Sequence, residues 1–462
     1  MIGISLIYFV MMILGFFALR RYHGRLLRSE RDALFRSSIV PRISVLVPAY
    51  NEAGTILDSV KALLTLRYPN HEVVVVNDGS VDGTLERLIE EFRLYRSSRV
   101  PTGDLDTSRI RAVYESLDPI PLVVVDKDNG GKSDALNAGL NHSRAPIVAV
   151  VDADSILEPD SLLHVMKPFL ADGEVDHTLA SGGIVRVANG CRIEHGRIVE
   201  VGAPSSVLAG FQAIEYLRAF LGGRIAYSFL NSLLVISGAF GVFRRTAVVE
   251  AGGFLLDTVG EDMELVVRLH RRWRRGGGRD YRIVFVPEPV SWTEAPESFE
   301  VLNRQRNRWQ RGLVESLWRH RRMMLNPRYG VVGMFAFPYF LLFEMLGPTV
   351  ELAGYLLTGV GLAAGFVPLH LALLFFFVSV GFGVLLSLSS LLLEELTVRR
   401  YPRPADVGRL FLAAVVENFG LRQLLTVWRT KALFDALRGD RSWGEMERVG
   451  FRASKPDAGA AP

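Results

Sequence analysis

Residues 147–154 read Ile-Val-Ala-Val-Val-Asp-Ala-Asp, an unbroken apolar run that ends on two carboxylates one residue apart. A short apolar run rich in β-branched side chains marks a strand buried on both faces. Three similar runs lie upstream: Ile43–Val47 (ISVLV), Glu72–Val76 (EVVVV) and Leu122–Val125 (LVVV). Between or after them, apolar residues recur at helical spacing in Ile56–Leu66, Leu85–Phe92, Ser133–Asn141 and Asp160–Leu170. This alternation predicts an α/β domain on a parallel sheet with both faces covered. Ligands of such sheets bind beyond the carboxyl ends of the strands, so the residues directly after each strand should carry the chemistry.

Those residues form a coherent set. Pro48-Ala49-Tyr50-Asn51-Glu52 follows the first strand and Asn77-Asp78-Gly79-Ser80 the second. Asp126-Lys127-Asp128-Asn129-Gly130-Gly131-Lys132 follows the third, and Asp152-Ala153-Asp154 the fourth. A nucleoside diphosphate with a divalent cation requires such an assortment. Carboxylates offer hard oxygen ligands that a metal bridges to phosphate oxygens. Lys132 supplies a point positive charge, and glycines permit close backbone approach. Taken singly, each element has an ordinary reading: Asp-X-Asp is common in loops, and Asn-Asp-Gly-Ser is a turn sequence. Their joint arrival on one rim is what points to a nucleotide–metal site.

The rest of the chain speaks of a bilayer. Of 462 residues, 49% are hydrophobic, while 53 Lys and Arg nearly balance 49 Asp and Glu to leave a net charge of +4. That apolar share is high for a purely soluble domain. Residues 2–19 are uncharged and just long enough to span a membrane. Their basic flank (Arg20, Arg21, Arg25, Arg28, Arg31) follows the apolar run, so they read as an anchor, not a cleaved signal, with the next segment cytoplasmic. A second apolar region, about Gly330 to Leu393, breaks near Gly365–His370 and reads as two spans, with Arg399, Arg400 and Arg403 back inside. Glu417, Asn418, Gly420 and Arg422 interrupt a last stretch, Leu410–Val427. A re-entrant or interfacial hairpin breaking near Asn418–Gly420 keeps the basic tail (Arg429, Lys431, Arg438, Arg441) inside, where a single span would not. The single cysteine, Cys191, excludes an intrachain disulfide and fits a reducing compartment.

With its strand-end motifs, Gly260-Glu261-Asp262 and Gln305-Arg306-Asn307-Arg308-Trp309, a Q-x-x-R-W pattern, the sequence resembles family 2 glycosyltransferases of GT-A fold. Within that family it is most similar to membrane synthases of poly-N-acetylglucosamine, hyaluronan and cellulose type. The resemblance covers most of the chain. It implies a nucleotide-diphospho-sugar transferase domain of Rossmann-like α/β architecture joined to α-helical transmembrane segments. The expected organisation is an anchor over 1–22, a basic juxtamembrane linker over 23–40 and the catalytic domain over 41–300. A basic interfacial helix over 301–329, membrane or re-entrant helices over 330–430 and a cytoplasmic tail over 431–462 complete it.

The resemblance also implies roles. Ala49, Tyr50, Glu52 and Asp78 would contact the uracil and ribose of a UDP-sugar, with Lys132 near the diphosphate. Asp152 would lie near the nucleotide or sugar, and Asp154 would bind Mg²⁺ or Mn²⁺. Asp262, beside Glu261, would be the general base, and Gln305, Arg308 and Trp309 would flank the acceptor end and the leaving diphosphate. Those residue types suit an inverting transfer. One displacement needs one carboxylate to take the acceptor proton, while positive charge stabilises the departing diphosphate. Glu261 and Asp262 also suit a helix amino terminus, where acidic residues are favoured. Asn77 stands where relatives often carry another acid.

Four further features remain. Arg304, Arg306, Arg308, Arg311, Arg319, Arg321, Arg322 and Arg328 precede the second apolar region. Their place beside a hydrophobic span favours phospholipid headgroups over nucleic acid and predicts that they dock the domain on the membrane. Glu344 and Glu351, seven residues apart on one helix face, read either as a lining for a glycan path or as ion-paired residues. Val207, Leu208, Phe211, Ile214, Leu217 and Leu221 fit an interfacial helix and a core helix equally. Ser237-Gly238-Ala239-Phe240-Gly241 reads as a tight loop of the sugar pocket, and the polar insertion Arg99–Asp118 has no assigned role. The expected function is a processive, exporting synthase of a β-linked polysaccharide at the cell membrane, its partners the donor, the glycan and the bilayer. A small accessory membrane subunit is compatible with this. The alternatives are single-sugar transfer to a lipid carrier and non-catalytic binding of nucleotide or glycan.

Overall fold

A computed structural model describes residues 2–26, 40–170, 178–194, 196–275, 280–397 and 399–438. Most of the expected linker, including Arg28 and Arg31, and the tail from 439 onward, including Arg441, lie outside the described residues. The four predicted strands form as β1 (Ile43–Ala49), β2 (His71–Asp78), β5 (Leu122–Lys127) and β6 (Ile147–Val151), where β3 (Leu94–Arg96) and β4 (Ile110–Ser116) intervene. The strands that follow are β7 (Ile156–Leu157), β8 (Thr178–Val187), β9 (Arg192–Glu194), β10 (Arg197–Glu200), β11 (Phe240–Arg244) and β12 (Arg282–Thr293). Helices occupy Ile56–Leu64, Thr84–Glu91, Lys132–His142 and Ser161–Leu170, within two residues of their expected limits.

One sheet of ten strands runs β3-β4-β5-β2-β1-β6-β11-β8-β12-β7, and β9 and β10 pair separately. The expectation of a parallel sheet holds for its centre, where β5, β2, β1 and β6 are parallel, and again for β8 and β12. The flanks are mixed: β4 is antiparallel to β5, and β11 is antiparallel to both β6 and β8. Part of the polar stretch 99–118 forms β4, a partly exposed strand beside the short edge strand β3. Arg99 secures it, pairing with Glu72 at 3.2 Å and Glu115 at 3.3 Å. Both faces are covered: Val45 and Val47 enter one apolar cluster and Leu46 the other, as strand alternation requires.

The helix Val207–Leu217 continues as a π-helical turn, Arg218–Arg224, and a short helix, Ile225–Phe229. Of its two sequence readings the core reading prevails. Leu208, Ile214, Leu217 and Leu221 are buried between β8 and the apolar helices, and only Val207 is exposed. The amino-terminal helix, Ile2–Leu26, crosses this layer so closely that a Cβ on Gly15 would lie 3.0 Å from the Gly222 carbonyl oxygen.

Among the described residues, Leu369–Leu396 is long and apolar enough to cross a membrane by itself. Val332–Met345 with Gly347–Ala363 (bent 41°) and Pro404–Val416 with Leu421–Leu437 (bent 59°) meet that criterion only as pairs. The second break covers the expected Asn418–Gly420 position, and Gly420 there adopts φ 95°. The uncharged run 2–19 lies within the first helix, Ile2–Leu26. These helices are joined to the α/β domain through ion pairs, one of them fully buried. Arg186 of β8 holds Glu394 at 2.7 and 2.8 Å, and Arg218 holds Glu417 at 2.7 Å.

The arginine run corrects a sequence expectation. Arg306 and Arg311 are 5% and 4% exposed, so they are interior groups and not lipid-facing ones. The helix that carries them, Phe299–Arg319, packs against Leu421–Leu437, which turns part of its polar face inward.

Candidate active site

β11 runs antiparallel to β6 with Phe240 opposite Val151, which sets Ser237–Ala239 beside the Asp152–Asp154 turn. The Asp152 amide donates to the Ala239 carbonyl at 3.3 Å. The next helix to arrive, Glu261–Arg275, delivers Glu261 and Asp262 in its first turn, so its amino-terminal position and its place in the site coexist. Lys132, first residue of its helix, closes the group: Nζ lies 2.7 Å from Asp152 and 3.0 Å from Glu261. Gly238 sits between the parties, since a Cβ there would stand 3.4 Å from Asp262 Oδ2 and 3.8 Å from Lys132 Nζ.

The electrostatics are polarised. Burial and the neighbouring Glu261 raise the Asp262 carboxyl above its ordinary range, against the opposing pull of Lys132 and Arg224. Such a carboxylate is a better proton acceptor than an exposed one once it is ionised. Burial opposes charge on Lys132 as well, but Asp152 and Glu261 overcome it and hold the ammonium above its usual value. Burial brings Arg224 down to about 10, so the guanidinium stays charged at neutral pH.

A cavity of about 960 Å³ opens on this group and reaches the helix Phe299–Arg319. Gln305, Arg308 and Trp309 all line it. The Gln305 side-chain oxygen is buried, with no hydrogen-bond partner among the described residues. Trp309, 42% exposed, has the Arg306 guanidinium 4.5 Å from its ring centre and Tyr216 at 6.4 Å. Glu215 fixes Arg306 at 2.6 Å, so the indole is braced on one side by a held guanidinium. The cavity continues to Glu344 and Glu351 among the apolar helices. The ion-pair reading of these two holds, since Glu344 pairs with Arg429 at 3.6 Å and Glu351 with Arg422 at 3.2 Å.

Four expected residues lie outside that lining. Ala49, Tyr50 and Glu52 occupy the end of β1, which is tied to the end of β2. The Asn51 amide donates to Ser80 Oγ and the Glu52 amide to Thr84 Oγ1, each at 2.9 Å. Tyr50 is half exposed, Ala49 is buried, and Glu52 accepts from Thr55 at 2.9 Å. Asp78 is turned into the protein, accepting from the Gly130 and Gly131 amides at 3.0 and 2.8 Å and pairing with buried Lys127. Its carboxylate thus shapes the loop that presents Lys132. Arg224, Glu215 and Tyr216, which the motifs do not mark, also line the cavity. A charged Arg224 inside an apolar stretch was the signal that could have found it.

The described residues hold no cluster of three or more potential protein ligands for a metal. Asp152 and Asp154 both line the cavity. A cation such as Mg²⁺, which uses one or two carboxylates and completes its shell with phosphate oxygens and water, fits that donor set; one needing a full protein cage does not.

A mixed α/β sheet whose strand ends present carboxylates and a lysine beside an acidic helix amino terminus defines a glycosyltransferase of GT-A architecture. The model described as "Glycosyltransferase like family 2" matches residues 41–312, and the chain belongs to that family. It is 28% identical over 306 residues to a poly-β-1,6-N-acetyl-D-glucosamine synthase of Staphylococcus aureus, covering 66% of this chain and 61% of the relative. The synthase of the same name from Staphylococcus epidermidis is 28% identical over 280 residues, 61% of this chain and 56% of the relative. The chain therefore matches about three-fifths of the length of these curated relatives. A mannosyltransferase from Pyrobaculum calidifontis, solved with GDP-Man and Mn²⁺, shares the fold at a TM-score of 0.51 and 18% identity, covering 95% of this chain and all of that one.

Proposed function

We propose that the chain is an inverting, metal-dependent synthase that adds sugar units from a UDP-sugar to a growing β-linked polysaccharide at the cell membrane. N-Acetylglucosamine is the donor sugar that its similarity to the Staphylococcus synthases favours. The observation that carries the reading is a single cavity lined by Lys132, Asp152, Asp154, Asp262, Gln305 and Trp309. Donor-binding and acceptor-binding groups thus face one another across a space large enough for a sugar.

In this reading the acceptor hydroxyl oxygen attacks the anomeric carbon from the side opposite the diphosphate. The bond to the diphosphate oxygen breaks, and the proton passes to Asp262. Lys132 and Arg308 neutralise the departing diphosphate. Ala49, Tyr50, Glu52 and Asp78 receive or shape the nucleoside end. Asp152 and Asp154 would hold the divalent cation, which when bound would withdraw charge from the phosphate oxygens. Trp309 stacks on the acceptor sugar and Gln305 accepts from one of its hydroxyls. Continuity of the cavity with Glu344 and Glu351 supports processive transfer into the apolar helices and export, with the catalytic domain on the cytoplasmic side.

Membranes carrying the protein, incubated with Mn²⁺ and a panel of radiolabelled nucleotide sugars, test the proposal. A long polymer from UDP-N-acetylglucosamine is expected. A lipid-linked monosaccharide would replace processive synthesis with single transfer, and no transfer from any UDP-sugar would remove the reading.

A further inference from the structure

The loop leading to Asp262 has no regular structure between Phe254 and Gly260, yet it carries the base to its place. What fixes it is one stripe of the helix Phe299–Arg319. Arg319 pairs with Asp257 at 2.8 Å. Glu315 accepts from Thr258 Oγ1 at 3.1 Å and from the Val259 amide at 3.0 Å. Then the two backbones meet without any side chain between them: a Cβ on Gly312 would lie 2.9 Å from the Gly260 Cα, and one on Gly260 would lie 2.8 Å from the Gly312 Cα. Residues 308, 312, 315 and 319 alternate steps of four and three, so they share one face of the helix. Arg308, which lines the cavity, is the next position on that face.

We infer that Gly312, Glu315 and Arg319 are positioning residues that set the separation between Asp262 and the Gln305–Trp309 segment. The inference rests on the proposed role of Asp262 as base. Contacts from three helix residues place an irregular loop against the helix, and the glycine pair sets the distance of closest approach. Side chains of any size at 260 or 312 would push the two backbones apart, because the opposing atoms are main chain and cannot rotate away. A displacement of about 1 Å in reacting groups is enough to cost roughly 100-fold in rate without touching ground-state binding. The basic and acidic groups of the stripe thereby act through Asp262 and Arg308, not on substrate.

Full-length Gly312→Ala, Glu315→Ala and Glu315→Gln, with Glu300→Ala as a control on an exposed face of the same helix, test this in detergent-solubilised protein. Expected are a kcat lowered about 100-fold for Gly312→Ala with donor KM within about twofold, a shifted acid limb of the kcat/KM–pH profile, and wild-type kinetics for Glu300→Ala. Glu315→Gln keeps an acceptor oxygen and should retain more activity than Glu315→Ala. Wild-type kcat in Gly312→Ala and Glu315→Ala, or losses that track a fall in melting temperature with the pH profile unmoved, would overturn the inference. Asp262→Asn separates the two levels. If it stays active, the base assignment fails; if it is inactive while the stripe variants are normal, only the positioning role fails.

Discussion

Lys132 and Glu261 meet at 3.0 Å in the cavity lining, joining the helix after β5 to the helix whose first turn carries the candidate base. The same ammonium holds Asp152 at 2.7 Å, so one cation ties three separate segments together. Its removal should therefore do more than weaken phosphate binding.

Lys132→Met is expected to lower kcat/KM by about 100-fold or more, since a charge-assisted partner of the donor is lost in a buried site. Donor KM should rise, and the acid limb of the pH profile should move upward, because Lys132 opposes the elevation of Asp262. Initial rates against donor concentration at several pH values check both effects.

Glu261→Gln should move that limb the other way. The Glu261 charge disfavours ionisation of Asp262, so its removal makes Asp262 a stronger acid and a base that works at lower pH. An acid limb that stays put would assign the titration to another group.

Chelation should abolish transfer, and Mn²⁺ or Mg²⁺ should restore it. Asp154→Asn should raise the metal concentration needed for half-maximal activity by about 10-fold or more, because it would remove one of the two carboxylates proposed to hold the ion. Metal-titrated rate measurements distinguish this from general loss of activity.

Arg186 and Glu394 are 1% and 0% exposed at their side chains, at the joint between β8 and the long apolar helix. Glu394→Leu should destabilise by about 3–5 kcal/mol, since Arg186 would be left charged and buried. Adding Arg186→Met should recover most of that loss. Melting temperatures of the single and double variants in one detergent give the comparison.

His270 should make the fold acid-sensitive. Its Nε2 bonds the Leu233 carbonyl at 2.8 Å and its Nδ1 the Tyr281 hydroxyl at 2.7 Å, and burial pushes its pKa down to about 4. A folded value below the unfolded one gives stability that is fully present above about pH 6.5 and lost progressively toward pH 4. The loss should approach about 3 kcal/mol, and His270→Asn should flatten the dependence in melting curves recorded across that range.

Much of this was legible before folding was considered. Ile43–Val47, Glu72–Val76, Leu122–Val125 and Ile147–Val151 all became parallel strands, because continuous β-branched runs have few other ways to be buried. Less visible was the antiparallel half of the sheet, since β11 and β4 owe their direction to partners far along the chain. Arg306 looked like a surface charge for the same reason. Its burial depends on Glu215 arriving from another helix, which spacing cannot report.

The sequence by itself determined the local units: which stretches are strands, where acidic and basic residues stand at their ends, and which segments are too apolar for water. Those properties follow from periodicity and side-chain chemistry over a few neighbouring residues. Tertiary structure alone decided that Lys132, Asp152, Glu261 and Trp309 line one cavity, that Asp78 turns inward to hold the glycine loop, and that Gly312 meets Gly260 backbone to backbone. Such relations depend on how helices and strands cross at ångström distances, and no single segment carries that information.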